Sequence, residues 1–194
     1  MYYPDFETFS RLASQGNLIP VYREIMADMD TPVSAFRKID DGRFSFLLES
    51  IEGGEKWARY TLLGSNPAVV IRSKGNTVEL LGNDGSLHRE DAVDPLGFLK
   101  GYLDNFRPVE VEGLPRFFGG AVGYLGYDMV RYFERLSLSK PASIDSYDSY
   151  FVITDTILVF DNIKQKIKIV SNAHLEPGTE LKDAYADATS KIEA

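Results

Sequence analysis

Cysteine is absent from the 194 residues, which excludes disulfides, a thiol nucleophile and every thiolate metal site. Histidine is scarce: His88 and His174 stand far apart among polar neighbours, so a histidine-built metal centre has no basis. Basic charge is in deficit, with 21 lysines and arginines against 29 acids and a formal net charge of −8. A nucleic-acid partner would need a basic patch that the sequence does not display. No apolar stretch approaches the roughly 20 residues of a membrane-spanning helix. The start, MYYPDFETF, lacks the basic and apolar regions of a secretion signal, and a cytoplasmic protein is expected. What is abundant is core-forming material, 44% hydrophobic and 12% aromatic, enough for a packed domain.

Asp5 is placed to cap a short helix carrying Phe6, Phe9, Leu12 and Ala13 on one face, with Gly16 ending it. Val21 to Ile25 reads as a strand, and Asp30-Thr31-Pro32 as a helix start. From Phe44 the period becomes two: Phe44, Phe46 and Leu48 face one way, Ser45, Leu47 and Glu49 the other. Trp57 to Leu63 is extended, Ser65-Asn66-Pro67 turns, and Ala68–Arg72 with Thr77–Leu81 makes a hairpin about Gly75-Asn76. Asp94-Pro95 opens the clearest helix. Tyr150 to Phe160 reads as one strand, Asp161-Asn162 as a turn, Lys166 to Val170 as a strand, and an amphipathic helix follows Gly178. Few helices among many strands imply an α+β fold of mainly antiparallel sheets, packed face to face, with flanking helices.

The glycines 119, 120, 123 and 126 match neither the dinucleotide fingerprint nor the phosphate loop, and imply close backbone packing. Asp128 and Glu134, six residues apart, do not share a helical face for acid–base work. Asp155, between two threonines, reads as a hydrogen-bonding partner. The segment Leu47-Leu48-Glu49-Ser50, with Arg59 beyond it, supplies what a free amino acid requires: an acceptor for its ammonium, a donor for its carboxylate and an apolar slot. The same residues equally fit a strand end with a surface ion pair.

Four blocks together carry a resemblance: NLIPVYREIMADMDTPVSAFRKI, FSFLLESIEGGEKWARYTLLGSNP, FFGGAVGYLGYDMVRYFE and ITDTILVFDN, spanning Asn17 to Asn162. They resemble the amino-terminal region of anthranilate synthase component I. The resemblance implies that residues 1–194 are the regulatory, tryptophan-binding region of that large subunit, without its chorismate-binding catalytic region. It implies contacts from Glu49 and Ser50 to L-tryptophan as feedback ligand, with Leu48 near the indole and Arg59 at a basic position able to meet the carboxylate. No catalytic or metal residue is expected here, and this chain alone is expected to be inactive. The complete form would be a lyase converting chorismate and ammonia to anthranilate and pyruvate, with Mg2+ as its metal. Its expected partners are the carboxy-terminal chorismate-binding region and a glutamine amidotransferase subunit that supplies the ammonia. Two alternatives stay open: the corresponding region of aminodeoxychorismate synthase or another chorismate-using enzyme, and a freestanding amino-acid-binding or scaffold domain.

Overall fold

The computed structural model describes residues 1–49, 59–92, 94–134 and 145–194. The chain forms two compact units, each built on a five-stranded antiparallel sheet with helices beside it. The α+β expectation of antiparallel sheets and flanking helices is met.

The first unit comprises residues 1–66, 106–120 and 154–194. Its strands are β1 (Leu18–Met26), β2 (Phe46–Glu49), β3 (Tyr60–Gly64), β9 (Thr156–Asp161) and β10 (Lys166–His174), in the order β1-β10-β9-β3-β2. Helices α1 (Phe6–Leu12), α2 (Pro32–Ile39) and α4 (Leu181–Glu193) belong to the same unit. One sheet face is apolar beneath the helices: Phe9, Ile19, Val21, Ala173, Ala188 and Ile192 form one cluster, and Ala35, Leu63, Phe160 and Ile167 belong to another. On the opposite face Tyr22, Ile157, Val159 and Val170 pack with Phe46, Tyr60 and Leu62. The alternation of residues 46–49 is as read from the sequence, since Leu47 joins the helix-side cluster and Phe46 the other.

The second unit comprises residues 67–105 and 121–153. Its sheet runs β6 (Leu87–Asp91), β5 (Thr77–Gly82), β4 (Val69–Lys74), β8 (Ser149–Thr154) and β7 (Gly120–Leu125). Helix α3 (Pro95–Leu103), capped by Asp94, places Leu99, Phe98 and Tyr102 on Ile71, Val78 and Ile153. The hairpin β4–β5 turns at Gly75-Asn76 as expected, with Gly75 at φ +56°.

Several elements differ from their sequence signals. Tyr150 to Phe160 is two strands, one in each sheet, separated by Asp155, whose carbonyl accepts the backbone N–H of Asn172 at 2.7 Å. A continuous apolar run carries no mark of such a change of sheet. Strand β1 extends through Pro20, because β1 lies at the sheet edge where a missing ladder donor is tolerated. Gly16 does not end α1, whose C-cap is Ala13; a Cβ at Gly16 would collide with the Arg107 carbonyl, so the glycine permits close approach. Strands β6 and β7 had no clear signal: β6 is exposed along its whole length, and β7 is glycine-rich. At Gly123 a Cβ would strike the Tyr150 carbonyl, the tight backbone packing that the glycine content implied.

Candidate functional site

The edge of the first sheet carries the sequence-predicted residues. Strand β2 pairs with β3 antiparallel, Leu48 opposite Leu62 and Glu49 opposite Thr61. Neighbouring strand residues point to opposite faces, so Leu48 and Glu49 diverge. Leu48 shares a cross-strand row with Leu62, Val159, Lys168 and Glu24. It is 46% exposed, a large apolar side chain open to contact at the end of an otherwise packed row. Glu49 lies in the adjacent row, beside Thr61 and Phe160, and is exposed. Ser50 lies outside the described residues.

Arg59 precedes β3 and its guanidinium is already engaged. Its Nε and Nη2 donate to the Asp161 carboxylate in a fork, with Nη2 at 2.6 Å, and the group lies 4.8 Å from the Tyr60 ring centre. The Asp161 side chain is only 2% exposed, whereas that of Arg59 is 34% exposed. Asp161 Oδ1 also accepts from the backbone N–H groups of Ile163 and Lys164 in the following turn. Burial alone would raise the Asp161 pKa; the Arg59 fork and the turn amides outweigh it and hold the carboxyl below its ordinary value. Next to this pair, the Asn162 backbone N–H donates to the Arg59 carbonyl at 2.8 Å, and Asn162 Nδ2 donates to Thr61 Oγ1 at 3.1 Å. Sequence reasoning saw Asp161-Asn162 only as a turn. The partner stands 102 positions from Arg59, and no local pattern signals a pairing across that distance.

Asp155 pairs with Lys191 at 2.9 Å. Arg131, between Asp128 and Glu134, pairs with Asp148 at 2.6 Å. His88 is exposed on β6, and His174 lies against the Phe106 ring at 4.8 Å. A cavity of about 360 Å³ in the second unit is lined by Lys74, Thr77, Glu79, Asp145, Ser146 and Tyr147, none of them foreseen as a site. Its charges are already paired, Lys74 with Asp145 and Glu79 with Arg72 and Arg89. Among the described residues no three histidines, cysteines or carboxylates gather to hold a metal ion. Among the described residues, too, no helix is long and apolar enough to cross a membrane.

These features define a two-sheet α+β protein whose candidate site is a small apolar and charged sheet edge, with no metal-binding cluster among the described residues. Comparison with known proteins is more specific, and the chain is homologous to the anthranilate synthase component I family. It is 41% identical to anthranilate synthase component 1 of Acetivibrio thermocellus over 192 residues, 99% of this chain and 38% of that protein. It is 42% identical to the component 1 of Pseudomonas putida over 167 residues, 84% of this chain and 34% of that one. The chain thus spans little more than a third of these curated relatives' length. The crystal structure of anthranilate synthase component I from Streptococcus pneumoniae TIGR4 shares the fold, with a TM-score of 0.51 and 24% identity over 88% of this chain and 36% of that one. No family model matches the chain.

Proposed function

We propose that this chain is the regulatory, tryptophan-binding part of an anthranilate synthase large subunit. The observation that carries the reading is the near-complete alignment of the chain with component 1 proteins, together with an exposed Leu48 and Glu49 on the β2 edge. In this reading tryptophan straddles the outer edge of β2, so that Leu48 on one face meets the indole and the Glu49 carboxylate on the other holds the ammonium, with the Ser50 hydroxyl completing the polar contacts. Arg59 is the basic position of the site, with its guanidinium turned to Asp161. The complete subunit would convert chorismate and ammonia to anthranilate and pyruvate, use Mg2+ in its chorismate-binding region, and receive ammonia from a glutamine amidotransferase subunit in the cytoplasm. Feedback follows if tryptophan binds a less active arrangement more tightly than an active one, because a ligand shifts an equilibrium only through differential affinity.

Calorimetric titration with L-tryptophan, using D-tryptophan and L-phenylalanine as controls, tests the reading. Saturable binding selective for L-tryptophan is expected. Glu49→Gln should weaken it about tenfold, the loss of roughly 1.4 kcal/mol. Equal response to both enantiomers, or no saturable binding, contradicts the assignment.

A further inference from the structure

In the amino-acid site as proposed, the guanidinium of the cationic residue is paired with the buried Asp161 carboxylate. We infer that Asp161 is a positioning residue for that site, acting through Arg59, and that Arg59 does not itself recognise the ligand's carboxylate. The inference rests on the tryptophan reading and changes the task of one residue within it.

Three contacts carry it. The Arg59 fork closes on both oxygens of Asp161, with Nε at 3.2 and 3.1 Å and Nη2 at 2.6 Å. Fork-to-fork pairing occupies the Nε–Nη2 edge, so a second carboxylate could not take that geometry and would meet only the Nη1–Nη2 end. Turning that edge toward a ligand would leave the nearly inaccessible Asp161 charge without its cation, an arrangement proteins avoid. The other two contacts show what the pairing secures. The Arg59 carbonyl accepts from the Asn162 backbone, and Thr61 Oγ1 accepts from the Asn162 amide, so residues 59 and 61 are both tied to the turn after β9. Thr61 is fully buried and is the residue directly opposite Glu49. The clamp therefore fixes the rung on which Glu49 stands, while Tyr60, opposite Asp161, belongs to the same cluster as Leu62, the cross-strand partner of Leu48. Asp161 holds its own end in place by capping the turn amides of Ile163 and Lys164.

The test compares L-tryptophan with L-tryptophan amide, which keeps the indole and the ammonium but has no carboxylate. Both are titrated into the wild-type protein and into Arg59→Gln, Arg59→Lys, Asp161→Asn and the double variant Arg59→Gln/Asp161→Asn, with circular dichroism confirming folding. Positioning predicts that Asp161→Asn and Arg59→Gln each weaken both ligands at least fivefold, the ratio of acid to amide affinity staying within twofold of wild type. The double variant should lose no more than twofold beyond the worse single variant, because the two residues act as one unit. Arg59→Lys, which keeps a cation on Asp161, should fall between wild type and Arg59→Gln and decides the matter if Asp161→Asn does not fold. If the amide binds too weakly to titrate, the double-variant comparison with L-tryptophan alone decides it. A tenfold loss for the acid with the amide unchanged in Arg59→Gln overturns the inference, as do additive losses in the double variant or unchanged binding in folded Asp161→Asn. Wild-type protein that fails to bind L-tryptophan overturns the tryptophan reading first, and this inference with it.

Discussion

Both sheets hold a carboxylate between two cations, and they do so differently. In the first, Glu24 on edge strand β1 accepts from Lys168 directly opposite at 2.5 Å and from Lys166 two residues away. In the second, Glu79 on β5 lies between Arg72 of β4 at 2.7 Å and Arg89 of β6 at 2.7 Å, all three in one cross-strand row. The second row continues as aromatic contact, with the Arg72 guanidinium 4.4 Å from the Tyr147 ring centre. The first passes from Glu24 and Lys168 into Val159 and Leu62 and ends at exposed Leu48. Charge therefore helps lock an exposed outer strand in the second sheet, whereas in the first it anchors one edge and the row ends on an exposed leucine at the other.

The apolar support differs as well, and core truncation gives the largest expected effect. Phe9 of α1 is wholly inaccessible, in one cluster with Ile19 and Val21 of β1 and Ala188 and Ile192 of α4. Leu99 of α3 lies at the margin of its cluster, 9% exposed. Phe9→Ala should cost about 3–5 kcal/mol, and Leu99→Ala about 2–3 kcal/mol, since a cavity at a margin refills more readily. Urea denaturation followed by circular dichroism measures both, and equal losses would break the comparison between a deeply layered unit and a thinner one.

These elements also show what the sequence made readable. Where a local signal and a buried face coincide, as at Asp94-Pro95 with Leu99 or Thr31-Pro32 with Ala35, helix starts were legible. The alternation of Phe46, Leu47 and Leu48 was legible because each face of that strand meets a different environment. Strand β6 was not, because LHRED has neither apolar alternation nor burial and is held by pairing with β5 and by ions such as Arg89. At the candidate residues the sequence made the side-chain types readable and not their pairing. Leu48 and Glu49 stand on an exposed edge, but the engagement of Arg59 by Asp161 depends on register between distant strands, which composition and spacing do not encode.

Acid should sharpen the electrostatic side of the comparison, with a smaller effect than core truncation. Hydrogen bonds from Lys166 and Lys168 hold Glu24 below the ordinary glutamate range, and those from Arg89 and Arg72 do the same for Glu79. A carboxylate whose folded-state pKa is depressed contributes stability that is present above its unfolded pKa and is lost as pH falls through the folded one. Wild-type stability should thus decline as pH falls below about 5, through the carboxylate range. Glu24→Gln and Glu79→Gln should each lower stability at pH 7 and flatten that decline. The urea midpoint measured from pH 7 to pH 3 checks the slope, and an unchanged slope in Glu79→Gln would remove the arginine-held row from the account.

The smallest predicted effect concerns the helix starts, one in each unit. At α2 the cap is reciprocal: Thr31 Oγ1 accepts from the Ser34 backbone at 3.1 Å, and Ser34 Oγ accepts from the Thr31 backbone at 2.9 Å. At α3 the Asp94 carboxylate accepts from the Leu96 backbone at 3.0 Å, and Leu96 carries no reciprocal side-chain acceptor. Thr31→Ala should cost about 1 kcal/mol and Thr31→Gly only a few tenths, because glycine leaves the first-turn amides open to water while alanine shields them without replacing the bond. Asp94→Ala should cost about as much as Thr31→Ala, since each removes one side-chain acceptor from a first-turn amide, and Ser34→Ala should weaken the start of α2 separately by removing the acceptor for the Thr31 backbone N–H. Chemical denaturation of Thr31→Ala, Asp94→Ala and Ser34→Ala checks this: Thr31→Ala and Asp94→Ala should lose similar amounts, and unchanged stability in Ser34→Ala would remove the reciprocal bond from the account of α2.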